Sequence, residues 1–145
     1  MSVLQLCDEE PASVRRETTV ADAIQLMLDK RVGAVAVVDK DGHVAGIFTE
    51  RDVLRKLALS GKDPKSTPVS EMMTAPVILA TQSTSPGEAL SVMVEHHFRH
   101  LPVVDDGGRL LKMLSIRNLL EWRVDELTDQ LDSLEQYMTN DSPGG

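Results

Sequence analysis

The sequence predicts an α+β fold, two tandem β-α-β-β-α units packed about a pseudo-twofold axis and followed by a C-terminal amphipathic helix. Three observations carry this expectation. First, residues 17 to 54 lie over residues 83 to 120 at a constant offset of 66, without a gap. Thr18, Ala23, Met27, Val37, Val38, Asp39, Gly42, Arg51 and Leu54 recur as Thr84, Ala89, Met93, Val103, Val104, Asp105, Gly108, Arg117 and Leu120. Second, each copy switches from a helical apolar stripe to two short β-branched runs around a glycine turn. Third, the apolar pattern after the second copy changes to alternating steps of four and three. A duplicated unit of this length cannot bury its apolar face alone, so the copies should pack together, and the cleft between them is the first place to seek a site.

Taken in order, residues 1 to 10 form an N-terminal segment with no basic n-region, and it reaches Asp8, Glu9 and Glu10 too soon for a secretory h-region. The first unit, residues 11 to 63, opens with a strand near Ala12 to Arg16. Its helix shows apolar residues at Val20, Ala23, Ile24, Met27 and Leu28, with Thr19 and Asp22 resembling a capping box. Val35 to Val38 and Val44 to Phe48 then read as two strands joined through Lys40, Asp41 and Gly42, with a second helix beginning after Thr49. Residues 64 to 68 are a linker by composition.

The second unit, residues 69 to 121, repeats this order. A short turn at Val69 to Met73 leads into a strand near Val77 to Ala80. Ser85 caps the next helix, Pro86 suits its first position and Glu88 sits at N3. The strands are Leu101 to Val104 and Leu110 to Leu114, with a helix after Ser115. In residues 122 to 145, Val124, Leu127, Leu131, Leu134 and Met138 continue from Leu120 as a heptad seam beside an acidic face. The seam is shorter than a free coiled coil requires, so docking on a partner protomer and a zipper both stay open. Residues 140 to 145 should fray.

Composition narrows the function. The apolar fraction is 41%, but the only aromatics are Phe48, Phe98, Trp122 and Tyr137, too few for a base-stacking platform. A net charge of −8 opposes a phosphate backbone, so nucleic acid is not an expected partner. Cys7, the single cysteine, excludes an internal disulfide and fits a reducing, cytoplasmic compartment. No apolar run approaches membrane-spanning length, so no membrane partner is expected.

Two sets of motifs then stand out. Val32-Gly33-Ala34-Val35-Ala36-Val37-Val38-Asp39 with Gly46-Ile47-Phe48-Thr49-Glu50-Arg51-Asp52-Val53 is answered by Phe98-Arg99-His100-Leu101-Pro102-Val103-Val104-Asp105 with Leu114-Ser115-Ile116-Arg117-Asn118-Leu119. Over about residues 11 to 121 the chain resembles the cystathionine-β-synthase (CBS) domain pair, or Bateman module, here as a stand-alone protein. Val69 to Thr74 is similar to the lead-in that opens the family's second repeat.

The resemblance implies a regulatory module that senses an adenosine ligand (AMP, ADP, ATP, NAD or S-adenosylmethionine) between the repeats, and that associates as a homodimer through its helices. It implies that Asp52 grips the ribose hydroxyls and that Thr49 lies near ribose or phosphate. A carboxylate suits two neighbouring hydroxyl donors, and a helix start favours phosphate. Arg99 and His100, just before the opposite Leu-Pro-Val strand, are the implied phosphate contacts, with Arg51 a third cation. The second site is weaker by pattern: Ser115 matches Thr49, but Asn118 replaces Asp52, Lys112 stands where Gly46 does, and Gly33 and Ala34 match Arg99 and His100.

Plainer readings compete with these roles. Thr49 with Asp52, and Ser115 with Asn118, also read as helix caps needing no ligand. Phe48 reads as core. His96, His97 and His100 invite a metal reading, but no thiolate or paired carboxylate completes a ligand set, and no metal is expected. No nucleophile, acid or base can be named, so catalysis is not expected. Two functions remain open: a nucleotide-sensing module acting on an unidentified regulated protein or on its own dimer geometry, and a structural dimerisation module with vestigial pockets.

Overall fold

The computed structural model describes residues 1 to 7 and 10 to 140. Asp8 and Glu9 lie outside the described residues, as do 141 to 145 of the end expected to fray at 140 to 145, whereas Asn140 still belongs to the last helix. Each repeat forms a three-stranded sheet. The first comprises β1 (Ser13–Arg15), β2 (Ala34–Val38) and β3 (Val44–Thr49), with β1 parallel and β3 antiparallel to β2. The second comprises β4 (Ala80–Thr81), β5 (His100–Val104) and β6 (Leu110–Ser115) in the same arrangement. Strand β4 is shorter and later than the expected Val77 to Ala80, because only Ala80 and Thr81 enter the ladder with β5 while Val77 turns to the wall of the inter-repeat cleft.

The helices start where their caps say they should. In α1 (Val20–Lys30) the Thr19 hydroxyl accepts from the Asp22 N–H, and in α3 (Pro86–His96) Ser85 accepts from Glu88. Both end on a left-handed residue, Arg31 and His97. Helix α2 (Glu50–Asp52) continues into a wider π-type turn at Val53–Leu57, and α4 (Ile116–Asn140) is a single 25-residue helix. No helix among the described residues is long and apolar enough to cross a membrane.

Two cores result, one per repeat, and each receives a residue that sequence order assigns elsewhere. Val69, in the 3-10 turn Val69–Glu71 before the second repeat, is fully buried with Val20, Val35 and Phe48 of the first. Val3, in the turn Val3–Leu6 at the N-terminus, is fully buried with Ala89, Met93, Leu101 and Leu114 of the second. The hydrogen bonds match as well, Val69 N–H to the Thr18 carbonyl at 2.7 Å and Val3 N–H to the Thr84 carbonyl at 3.3 Å. Each pair is related by the same offset of 66. Each lead-in therefore docks on the repeat to which it does not run.

The hairpin turns meet across the pseudo-twofold axis. Leu110 N–H donates to the Gly42 carbonyl at 3.0 Å and Val44 N–H to the Gly108 carbonyl at 3.4 Å. Gly42 and Gly108 adopt φ of 87° and 85°, a turn conformation that a side chain would strain. Asp39 and Asp105 shape these turns, each accepting two backbone N–H groups through Oδ1.

Candidate functional site

A cleft between the repeats holds about 720 Å³ of space, counting the part open to solvent. The first repeat contributes Gly33, Ile47, Thr49, Glu50 and Arg51 to its wall; the second contributes Thr74, Pro76, Val77, Phe98, Arg99 and His100. That size suits a small organic ligand. Of the predicted residues, Thr49, Arg51, Arg99 and His100 therefore line one cleft. Ser115 and Asn118 do not line it.

Asp52 sits behind this wall. It is only 5% exposed, and its carboxylate is fully engaged. Oδ2 accepts from the Thr49 N–H at 3.0 Å and from the Thr49 hydroxyl at 3.2 Å. Oδ1 accepts from the Thr74 hydroxyl at 2.8 Å and lies 3.3 Å from Lys56 Nζ. A carboxylate has about four acceptor positions, so all are occupied. Thr49 Oγ1 in turn accepts from the Asp52 N–H at 3.2 Å, closing the capping box. Its proton is directed at Asp52, which leaves the Thr49 oxygen able to accept from a ligand hydroxyl but unable to donate to a phosphate without releasing the carboxylate.

Lys56 links this box to the lead-in of the second repeat, donating to the Met73 carbonyl at 3.0 Å and the Thr74 hydroxyl at 3.1 Å. Thr74 also pairs with Ile47 through both backbone hydrogen bonds, so it extends the first sheet beside β3. Gly46 makes that pairing possible, since a Cβ there would stand 2.9 Å from the Thr74 carbonyl oxygen.

The second capping box is built the same way around a neutral residue. Asn118 Oδ1 accepts from the Ser115 N–H at 3.0 Å and the Ser115 hydroxyl at 2.8 Å. The backbone geometry of the two boxes is thus shared, and their charge is not.

At the other end of the cleft the charges gather. Arg51 donates to the His97 carbonyl at 3.0 Å, tying α2 to the end of α3. Burial pushes the His100 imidazole below its ordinary pKa of 6.5; Glu50 opposes that shift and Arg99 adds to it. His100 is therefore neutral at pH 7 and takes up its proton only at more acid values than an ordinary imidazole. Glu50 carries no motif signal and is absent from the predicted set. The available clue was its place beside Thr49, opposite Arg99 and His100.

Among the described residues, His96, His97 and His100 do not form a group of three close ligand-type atoms. His96 stacks on Phe98 with ring centroids 5.4 Å apart. Among the described residues Asp39, Asp41 and His43 bring ligand-type atoms within 4.8 Å of one another, but they lie in the first hairpin turn, where Asp39 Oδ1 already accepts two backbone N–H groups. Phe48 is fully buried, as core.

This fold has close counterparts. The family model for the CBS domain matches the chain twice, at residues 3–59 and 69–125. A CBS domain-containing protein of Arabidopsis thaliana, CBSX3, is 38% identical over 127 residues, covering 84% of this chain and 61% of its own length. A solved protein with CBS domains from Burkholderia ambifaria is 39% identical, with a TM-score of 0.77 over 86% of this chain and 95% of the other. The structure of CBSX2 in complex with AMP is 26% identical, with a TM-score of 0.73 over 86% of this chain and 96% of the other.

Proposed function

Because the chain belongs to the CBS domain family, we propose that it is a regulatory module that binds an adenosine ligand in the inter-repeat cleft and changes a separate protein's behaviour, or its own dimer geometry, on doing so. The observation that carries this reading is the cleft itself, which Thr49 and Arg51 of one repeat line together with Arg99 and His100 of the other. The AMP complex of CBSX2 supports an adenine nucleotide as ligand, with ADP, ATP, NAD and S-adenosylmethionine as alternatives. Adenosine's ribose hydroxyls would meet Thr49 first. They reach Asp52 by replacing the Thr74 hydroxyl or Lys56 on Oδ1, which couples occupancy to the lead-in of the second repeat.

A ligand shifts a conformational equilibrium only through differential affinity for its states, and this exchange of partners at Asp52 supplies such a difference. The reading is of a binding module, not an enzyme, acting as a homodimer in a reducing compartment such as the cytoplasm, which suits a lone Cys7. A structural dimerisation module with vestigial pockets is the second reading, favoured by the full engagement of Asp52 and by the neutral Asn118 box.

Thermal-shift measurements with adenosine, AMP, ADP, ATP, NAD and S-adenosylmethionine distinguish the two. A ligand at 100 times its Kd adds about 2.7 kcal/mol to the apparent stability of the native state. An upward shift with at least one of these ligands is expected. No shift with any of them at millimolar concentration leaves the structural module.

A further inference from the structure

Gly33 brings two cleft side chains to one point. A Cβ on Gly33 would lie 3.3 Å from Glu50 Oε1 and 3.3 Å from His100 Cε1, so the carboxylate and the imidazole flank the same small volume at the charged end of the cleft. A side chain on Gly33 would press on both by a few tenths of an ångström. The charged groups on the cleft wall are Arg51 and Glu50 from α2 and Arg99 beside β5. Two guanidinium groups against one carboxylate leave a single net positive charge. His100 adds none at neutral pH, since burial disfavours its charged form. The offset of 66 sets Ile116 where Glu50 stands, so this carboxylate belongs to the first repeat's box alone.

We propose that Glu50 is a specificity-determining residue of the cleft, limiting its ligand to an adenosine carrying one phosphate by repelling the additional charge of a diphosphate or triphosphate. The inference rests on the adenosine-binding reading above. One phosphate dianion meets the two arginines with little excess charge. Each further phosphate adds negative charge near a carboxylate held beside a neutral imidazole, and like charges within several ångströms at a partly exposed site oppose each other appreciably.

The test is calorimetric titration of the full chain and of Glu50→Gln with adenosine, AMP and ATP, at pH 7.5, fixed ionic strength and without divalent cations. Glu50 is exposed and makes no helix cap, so the amide should leave the fold intact. The unmodified chain should bind AMP more tightly than ATP. Glu50→Gln should raise ATP affinity roughly tenfold more than it raises AMP affinity, and leave adenosine nearly unchanged. Equal gains for AMP and ATP, or an unmodified chain that already prefers ATP, overturn the role of Glu50 while leaving the binding reading intact. Absence of binding by all three ligands to both proteins overturns the binding reading itself, and this inference with it.

Discussion

At the residue scale, the two capping boxes form a natural comparison, because Asn118 shows what an amide does in the place of Asp52. It preserves both bonds from its hydroxyl partner and backbone. Both variants, Asp52→Asn and Asp52→Ala, keep the Thr49 hydroxyl oxygen on the residue-52 backbone N–H. Asp52→Asn should also keep the two bonds from Thr49 on its amide oxygen while losing the acceptor for Thr74 and Lys56, whereas Asp52→Ala should lose all four side-chain contacts, at a cost of about 1 to 3 kcal/mol. In urea titration the Asn variant should be destabilised less than the Ala variant. Its affinity for AMP should nonetheless fall at least tenfold, since a hydrogen bond to a charged acceptor contributes about 1.5 to 3 kcal/mol. Asn118→Ala should leave that affinity nearly unchanged. Comparable losses in affinity from Asp52→Asn and Asn118→Ala would refute the asymmetry. His100 gives a pH signature of definite sign. Its imidazole takes a proton more readily in the unfolded chain, at about 6.5, than in the folded one, where burial lowers the value. Its stabilising contribution is present above about pH 6.5 and is lost as pH falls through the folded value. Thermal melts should show this loss, and His100→Gln should flatten it. That Thr49, Arg51, Arg99 and His100 share one cleft was legible in the sequence, yet the filled coordination of Asp52 was not: Thr74 and Lys56 converge on it only through the fold.

At the scale of elements, the register of the repeat, the caps at Thr19 and Ser85 and the paired hairpins could all be read from local pattern, because 3.6-residue and two-residue periods act within a few neighbours. The exchange of lead-ins could not be read that way. A four-residue turn has no period, and Val3 reaches its core by contacts far along the chain. A signal was nevertheless present, since the offset that aligns the repeats also aligns Val3 with Val69 and Thr18 with Thr84. The energetic consequence is local to one repeat. Fully burying a valine contributes about 1.5 to 3 kcal/mol, so Val3→Ala should cost a good part of that. Because Val3 packs on β5, β6 and α3 of the second repeat, hydrogen exchange in Val3→Ala should accelerate first in Leu101 to Val104 and later, if at all, in Val35 to Val38. Uniform acceleration across both sheets would mean that the repeats unfold as one unit and that the exchanged lead-in has no local role.

At the scale of the whole molecule, the exposed apolar side chains are not scattered. Leu28 and Val94 are 66% and 63% exposed, and Leu54 and Leu120 are 74% and 52% exposed; each pair is related by the offset of 66, so the pseudo-twofold axis repeats them. Along α4, Val124, Leu127, Leu131, Leu134 and Met138 continue from Leu120 as exposed apolar residues, and every residue from Leu127 to Thr139 is exposed. A solitary helix gains little from propensity alone and is stabilised mainly by burying an apolar face, which this stretch does not do within one chain. We therefore expect a homodimer. The repeated pairs sit on a folded body whose geometry is fixed, whereas the seam offers fewer heptads than an independent zipper needs. For that reason Leu54→Asp should dissociate the dimer, and Leu127→Asp with Leu131→Asp should only weaken it. In sedimentation equilibrium at micromolar concentration, the unmodified chain should give twice the 15.9 kDa chain mass, and Leu54→Asp should give 15.9 kDa. A monomer for the unmodified chain ends the dimer reading. Dissociation by the α4 pair with Leu54→Asp still dimeric would instead move the interface onto α4, where the acidic face beside the seam would make association strengthen with added salt as its repulsion is screened.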